Sequence, residues 1–135
     1  MSPVVFDCNV ILAGIGWNGS ARLCLKLVAQ RRLMVCVTEA ILAEYDRVIP
    51  ERLRVDVPGL DPEPKLVWLR AQAKRFEAAP LGKRRSRDPK DDPYLACALA
   101  ARAKWIISYD RDLLDLEKPF GIEIIRPAEL LRRTQ

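Results

Sequence analysis

Short continuous apolar runs recur along the chain and are separated by stretches with helical spacing. The runs cover 4–12, 33–37, 105–108 and 122–125, and Asp7 and Asn9 interrupt the first of them. Runs this short and this apolar are typical of strands buried on both faces of a parallel sheet. We therefore predict a strand for each run, with Asp7 near the carboxyl end of the first.

The intervening stretches predict helices. Gly14, Gly16 and Gly19 indicate a loop, after which Ser20 caps a helix. Thr38 caps a second helix, which Pro50 is expected to stop. A connector over 55–64 leads to a helix over 63–77, with Trp68 off its core face and a candidate for a partner or dimer surface. Further helices are predicted over 91–103 and from Pro127 to the end.

This alternation of strands and helices predicts an α/β protein, a three-layer α/β/α domain with a mainly parallel sheet. With 135 residues, of which 50% are apolar and 30% charged, we expect one domain spanning 1–135. Right-handed crossovers bring the carboxyl ends of parallel strands to one edge. Asp7, Asp110 and the helix start at Asp91 should therefore lie together.

Composition limits the chemistry of such a site. The chain contains no histidine, which excludes Ser-His-Asp and Cys-His pairs and histidine-bound zinc. Its four cysteines lie in apolar segments without metal-site spacing, as expected of core thiols in a reducing compartment. No apolar run is long enough to span a membrane, so we expect a cytoplasmic protein. Any hydrolysis must depend on carboxylates.

A group of acids at one edge requires a cation or shared protons, because like charges at about 4 Å repel by about 4 kcal/mol at an effective dielectric near 20. Oxygen ligands favour Mg²⁺ or Mn²⁺, which activate water and neutralise phosphate charge. Two simpler explanations stay open. Asp91 and Asp92 are both explained by the helix N-terminus, where negative side chains are favoured. Glu44 borders the apolar stripe of its helix, and a glutamate at such a position is usually just solvated.

Basic residues precede one of these acids. The formal net charge is only +5, but Lys83, Arg84, Arg85 and Arg87 directly precede the acidic stretch 88–92. Cations that bind phosphates, placed beside a carboxylate cluster, suit a substrate with an anionic backbone.

Four motifs together resemble the PIN-domain family, and specifically the toxin members of prokaryotic toxin-antitoxin pairs (VapC-like ribonucleases). The motifs are Val-Phe-Asp-Cys-Asn-Val at 5–10, Leu-Ala-Glu-Tyr at 42–45, Asp-Pro-Lys-Asp-Asp at 88–92 and Ile-Ser-Tyr-Asp-Arg-Asp-Leu-Leu at 107–114. The resemblance implies a five-stranded parallel sheet and a Mg²⁺-dependent endoribonuclease that hydrolyses RNA phosphodiester bonds. It also implies a homodimer and inhibition by a cognate antitoxin protein.

The resemblance also implies roles for single residues. The catalytic acids are Asp7, Glu44, Asp91 and Asp110, and of these Asp7, Asp91 and Asp110 are expected to hold the metal. Supporting residues are Asn9, Ser108, Asp112 and Asp92; family spacing favours Asp91 over Asp92 as the ligand. Cys8 departs from the pattern, which usually has Thr or Ser there, and lowers the expected activity if that hydroxyl supports the site.

Two alternatives belong to other functional classes. In the first, the domain is a catalytically inactive PIN-like module whose acids only cap helices and whose basic loop holds nucleic acid or a protein partner. Asp7-Cys8-Asn9-Val10 also resembles the nucleophile motif of haloacid-dehalogenase-type phosphatases, although that motif requires a second Asp where Asn9 stands. The sequence leaves the RNA target and the antitoxin unidentified.

Overall fold

The computed structural model describes residues 1–82 and 91–135. The strands are β1 (Ser2–Phe6), β2 (Leu33–Val37), β3 (Lys74–Arg75), β4 (Trp105–Ile107) and β5 (Glu123–Ile125). The helices of the described ranges are α1 (Cys8–Gly16), α2 (Ser20–Ala29), α3 (Glu39–Asp56), α4 (Glu63–Gln72), α5 (Asp92–Ala101), α6 (Arg111–Leu114) and α7 (Pro127–Arg133). A 3₁₀ turn, Pro119–Gly121, precedes β5.

The five strands form one sheet in the order β3-β2-β1-β4-β5, and every pairing is parallel. Strand β1 lies in the middle, and its residues Val4, Val5 and Phe6 are each 0% exposed. Consecutive residues can all be buried only where both faces of the sheet are covered. The predicted α/β class and five-stranded parallel sheet are confirmed, and the carboxyl ends of all strands lie at one edge.

The first apolar run contains two elements, so the single strand predicted over 4–12 is wrong. Strand β1 ends at Phe6, Asp7 keeps an extended backbone, and α1 starts at Cys8. The amide of Val10 donates to the carbonyl of Asp7 at 3.0 Å, which starts the helix. A buried helix and a buried strand have the same apolar composition, and periodicity alone does not separate them. Asp7 therefore occupies the junction between sheet and helix.

Close packing explains why glycines occur inside α1, where the sequence predicts a loop. A Cβ atom on Gly14 would lie 2.7 Å from Leu25 Cδ1 and 3.2 Å from the carbonyl oxygen of Ala21. A Cβ on Gly16 would lie 2.7 Å from Leu53 Cδ2. The glycines let α2 and α3 approach α1 closely, and the connection between α1 and α2 is confined to 17–19.

The prediction that Pro50 stops the third helix is wrong, because α3 continues to Asp56. A proline inside a helix costs roughly 3 kcal/mol. The turn beyond it contains Leu53, which is 0% exposed and packs near Gly16, so burial offsets that cost. The predicted cap at Thr38 is confirmed, because its hydroxyl accepts a hydrogen bond from the Ile41 amide at 3.3 Å.

The helix predicted over 63–77 is shorter, because α4 ends at Gln72 and the chain then adds β3 to the edge of the sheet beside β2. Two exposed residues form this strand, so it has no apolar run to reveal it. Trp68, predicted to lie off the core face of this helix, is instead half-buried against the core, whereas its neighbour Val67 is 50% exposed.

Near the C-terminus, α5 ends at Ala101, because Arg102 adopts a left-handed conformation with φ of 53°. Asp110 caps α6, because its side chain accepts a hydrogen bond from the Asp112 amide. Pro127 begins the last helix as predicted. Among the described residues, no helix is long and apolar enough to cross a membrane.

All four cysteines are buried and none forms a disulfide. Burial raises the pKa of Cys36 to about 11 and those of Cys8, Cys24 and Cys97 to about 12. These side chains are therefore neutral core thiols and are poor metal ligands, because thiolates are the binding form.

Candidate metal centre

Three carboxylates meet at the carboxyl edge of the sheet. One oxygen each from Asp91, Asp110 and Asp112 lie within 4.8 Å of one another. Asp91 directly precedes α5 and is buried, whereas Asp110 and Asp112 belong to the start of α6 and are half-buried. We call these three residues the acidic cluster. Asp91 lies 19 positions before Asp110 in the sequence, and β4, which follows α5, returns the chain to the same edge.

The turn after β4 holds its two acids rigidly. Asp110 Oδ1 accepts a hydrogen bond from the Asp112 amide at 2.9 Å, and the Asp110 amide donates to Ser108 Oγ at 2.9 Å. Both bonds are local and fix the backbone of the turn. The carboxylate of Asp110 and the backbone of Asp112 are therefore positioned before any ligand binds.

Ser108 connects this turn to β1. Its side chain is 0% exposed, and its hydroxyl donates to Asp7 Oδ2 at 2.7 Å while accepting from the Asp110 amide. The Asp7 amide also donates to the Ile107 carbonyl at 2.9 Å, next to the same hydroxyl. Ser108 thus orients the Asp7 carboxyl relative to the acidic cluster, although Asp7 is not one of the three residues that form it.

Asp7 is unfavourable as an isolated anion. It is 6% exposed, and burial raises the pKa of its carboxyl above the usual value. The Ser108 hydrogen bond opposes this shift, whereas the negative charges of Asp110 and Glu44 raise the pKa of Asp7 further. A cation beside Asp7 would relieve both the burial penalty and the repulsion.

Glu44 lies on α3, half-buried and near enough to Asp7 to affect its charge. Its Oε1 accepts a hydrogen bond from the hydroxyl of Tyr94, and that hydroxyl accepts one from the Cys8 amide at 3.3 Å. Tyr45, the residue after Glu44, donates its hydroxyl to the Phe6 carbonyl at the end of β1. Two buried tyrosines therefore connect Glu44 and its helix to the edge of the sheet.

The remaining residues that the sequence predicts for the site do not belong to the acidic cluster. Asn9 is exposed in the first turn of α1, and Asp92 is half-buried in the first turn of α5, outside the acidic cluster. Cys8 is a buried member of the core. Lys83, Arg84, Arg85 and Arg87, predicted to bind the RNA backbone, lie outside the described residues.

Sequence reasoning missed Tyr94, which it placed simply on the predicted helix 91–103. One signal was present in the sequence. Tyr94 is the only side chain with a polar tip among the buried residues of α5, which are otherwise apolar. A buried tyrosine hydroxyl usually has a hydrogen-bond partner.

The acidic cluster fits a hard divalent cation. All its donors are carboxylate oxygens, which suit Mg²⁺ and Mn²⁺, and the spacing of these oxygens is compatible with ligands of one ion. Without an ion, three carboxylates this close repel one another. The cluster could therefore bind a divalent metal, and the fold and site together define a carboxylate metal site on a parallel α/β domain.

Comparison with known proteins places this domain in a family. The family model described as "PIN domain" matches residues 3–112, and the chain belongs to the PIN-domain family. PIN domains are generally metal-dependent nucleases, which implies a nucleic-acid substrate and a divalent metal. The family assignment leaves the phosphatase alternative without support.

A solved structure shows the same fold. The chain is similar to PAE2754 from Pyrobaculum aerophilum, with a TM-score of 0.64 and 19% sequence identity over 98% of this chain and 89% of that chain. No curated protein matches this sequence significantly.

Proposed function

We propose that the protein is a Mg²⁺- or Mn²⁺-dependent endoribonuclease that acts as the toxin of a toxin-antitoxin pair. The supporting observation is the acidic cluster of Asp91, Asp110 and Asp112, beside Asp7, at the carboxyl edge of a PIN domain. This edge is the usual ligand site of parallel α/β sheets.

Each acid has a distinct part in this proposal. Asp91 and Asp110 hold the cation together with Asp7, and Asp112 supports them from the α6 turn. The bound ion would activate water and neutralise charge on the attacked phosphate. Ser108 keeps Asp7 directed at the site, and Glu44 faces the same edge from α3. Cys8 packs in the core, and we propose that its thiol has no polar role at the site.

The test is RNA cleavage by the purified protein. We expect single-stranded RNA to be cut internally in Mg²⁺ or Mn²⁺ and to stay intact in EDTA. A protein that binds RNA but leaves it intact in both ions would overturn the nuclease proposal. It would favour the catalytically inactive binding module instead.

The basic residues Lys83, Arg84, Arg85 and Arg87 are proposed to bind the RNA backbone. Replacing all four with Ser should weaken RNA binding at low salt. For single strands, log K falls with log salt by about 0.7 per neutralised phosphate, so the slope should become shallower by up to about 3. Filter binding to RNA at several salt concentrations measures this slope.

A matched control replaces Arg52 and Arg54 with Ser. These exposed arginines form ion pairs within α3, with Asp56 and Glu51. The control should leave the slope nearly unchanged. Equal slopes for the control and the fourfold variant would contradict an RNA-binding role of 83–87.

A cationic groove between α2 and α4 is a candidate docking site for a protein partner. This cavity of about 450 Å³ has an apolar floor that includes Leu25 and Trp68, and its rim includes Arg22, Lys26 and Lys65. None of the described residues that line it is acidic. Charge complementarity favours an acidic amphipathic helix, and we propose that the antitoxin supplies it.

We also propose that the protein is a homodimer.

Charge reversal tests this docking site. Expression of the wild-type protein should arrest growth, and co-expression of the small protein encoded beside it should restore growth. Lys26→Glu/Lys65→Glu should still arrest growth but escape this rescue. Lys104→Glu/Lys118→Glu makes the same change in net charge on exposed lysines outside the groove and should be rescued. Rescue of both variants would contradict the docking site.

A further inference from the structure

The Tyr94 hydroxyl makes two hydrogen bonds that join three elements of the site. It donates to Glu44 Oε1 on α3 and accepts from the Cys8 amide at the start of α1. Tyr94 itself lies in the first turn of α5, three residues after Asp91, and is 2% exposed. A single buried hydroxyl on α5, the helix that begins at the acidic cluster, thus contacts both α1 and α3.

Glu44 needs such a partner to stay at the site. It is half-buried, and Asp7 at the same edge lies near enough for two negative charges to repel each other. A glutamate side chain has several rotatable bonds, so repulsion would turn its carboxylate towards solvent. The buried ring of Tyr94 presents a fixed donor that opposes this movement. Burial raises the pKa of Tyr94 well above its usual value, so the hydroxyl keeps its proton.

We propose that Tyr94 is a positioning residue that holds the Glu44 carboxylate at the acidic edge for RNA cleavage. This inference rests on the proposed nuclease function. Tyr94 touches neither substrate nor metal in this account and acts only through Glu44. The simple alternative is a tyrosine that packs the core and whose hydroxyl does not affect cleavage.

A double-mutant cycle separates these two roles, because it measures whether two residues act through each other. Tyr94→Phe keeps the ring and removes the hydroxyl. We expect kcat for RNA cleavage to fall about 10- to 100-fold, the range seen when supporting hydrogen bonds around a metal site are removed. KM for RNA should stay within about twofold, because the hydroxyl does not contact RNA. In the Glu44→Ala background, Tyr94→Phe should produce no further loss of kcat.

Tyr45→Phe is the matched control. It also removes a buried tyrosine hydroxyl, but that hydroxyl donates to the backbone carbonyl of Phe6 and not to a site carboxylate. Any loss of kcat that it causes should be the same in the Glu44→Ala background as in the wild type. The inference is overturned if Tyr94→Phe has the kcat of the wild type, or if its loss simply adds to that of Glu44→Ala.

A second cycle uses stability and needs no activity. The changes in urea midpoint caused by Tyr94→Phe and Glu44→Ala should not add, because each variant removes the same hydrogen bond. Additive changes would overturn the contact itself. If the wild-type protein does not cleave RNA, the nuclease proposal fails, whereas the stability cycle still decides whether Tyr94 holds Glu44. The two failures are therefore distinguishable.

Discussion

Asp91→Asn is expected to lower Mn²⁺-dependent RNA cleavage by about a thousandfold or more, whereas Asp92→Asn should stay within about threefold of the wild type. A metal supplies several kcal/mol of charge stabilisation, and each 1.4 kcal/mol changes a rate about tenfold. Asp91 is buried and belongs to the acidic cluster, but Asp92 is half-buried and lies outside it. The structure therefore distinguishes two acids that are adjacent in the sequence.

This pair of variants controls for the helix. Both residues lie at the N-terminus of α5, where a negative charge stabilises a helix by about 0.3–1 kcal/mol, so both variants should lose similar stability from the dipole. Initial cleavage rates at saturating Mn²⁺ and circular dichroism melts on the same preparations measure the two effects. Similar rates for the two variants would contradict a specific role for Asp91.

Asp7→Asn is expected to abolish cleavage and yet stabilise the metal-free protein at pH 7. The raised pKa of Asp7 means that folding disfavours its charged form, mainly because the carboxyl is buried. Asparagine has the same shape, carries no charge, and its side-chain oxygen can accept the Ser108 hydrogen bond. For a domain of this size, each kcal/mol raises Tm by roughly 3–6 °C.

The pH dependence of this stabilisation follows from the sign of the pKa shift. Below the unfolded pKa of an aspartate, about 3.9, Asp7 is protonated in both states and Asp7→Asn has little electrostatic effect. Between the unfolded pKa and the higher folded pKa, the wild type loses stability relative to the variant as the pH rises. Above the folded pKa, the difference in stability between the two proteins stays constant. Thermal melts in EDTA across this range measure it. A variant that is less stable than the wild type at pH 7 would contradict the unfavourable charge on Asp7.

The sheet and the edge that bears the acids could be predicted from the sequence because both follow from simple patterns. Buried parallel strands are continuous apolar runs; Asp7 lies within the first run, and Asp110 lies two residues after the run 105–108. Parallel topology then brings these residues to one edge. The convergence of Asp91 with Asp110 required only the additional recognition of a helix start.

The other features depend on tertiary packing, which the local sequence does not encode. Gly14 lies in a helix because Leu25 packs against it, and α3 continues past Pro50 because Leu53 is buried beyond it. Strand β3 is held by pairing with β2 and has exposed residues only. The Tyr94 contact with Glu44 joins residues 50 positions apart, and no periodic pattern indicates it.

The most direct test of this account is the position of Mn²⁺ in a crystal of the protein, located by anomalous diffraction at a Mn²⁺ concentration that supports RNA cleavage. The account predicts a peak among the carboxylates of Asp91, Asp110 and Asp112, on the side facing Asp7, and no such peak in Asp91→Asn crystals grown under the same conditions. A well-ordered edge without a peak, or a peak held by other residues, would contradict the claim that these acids form a metal site.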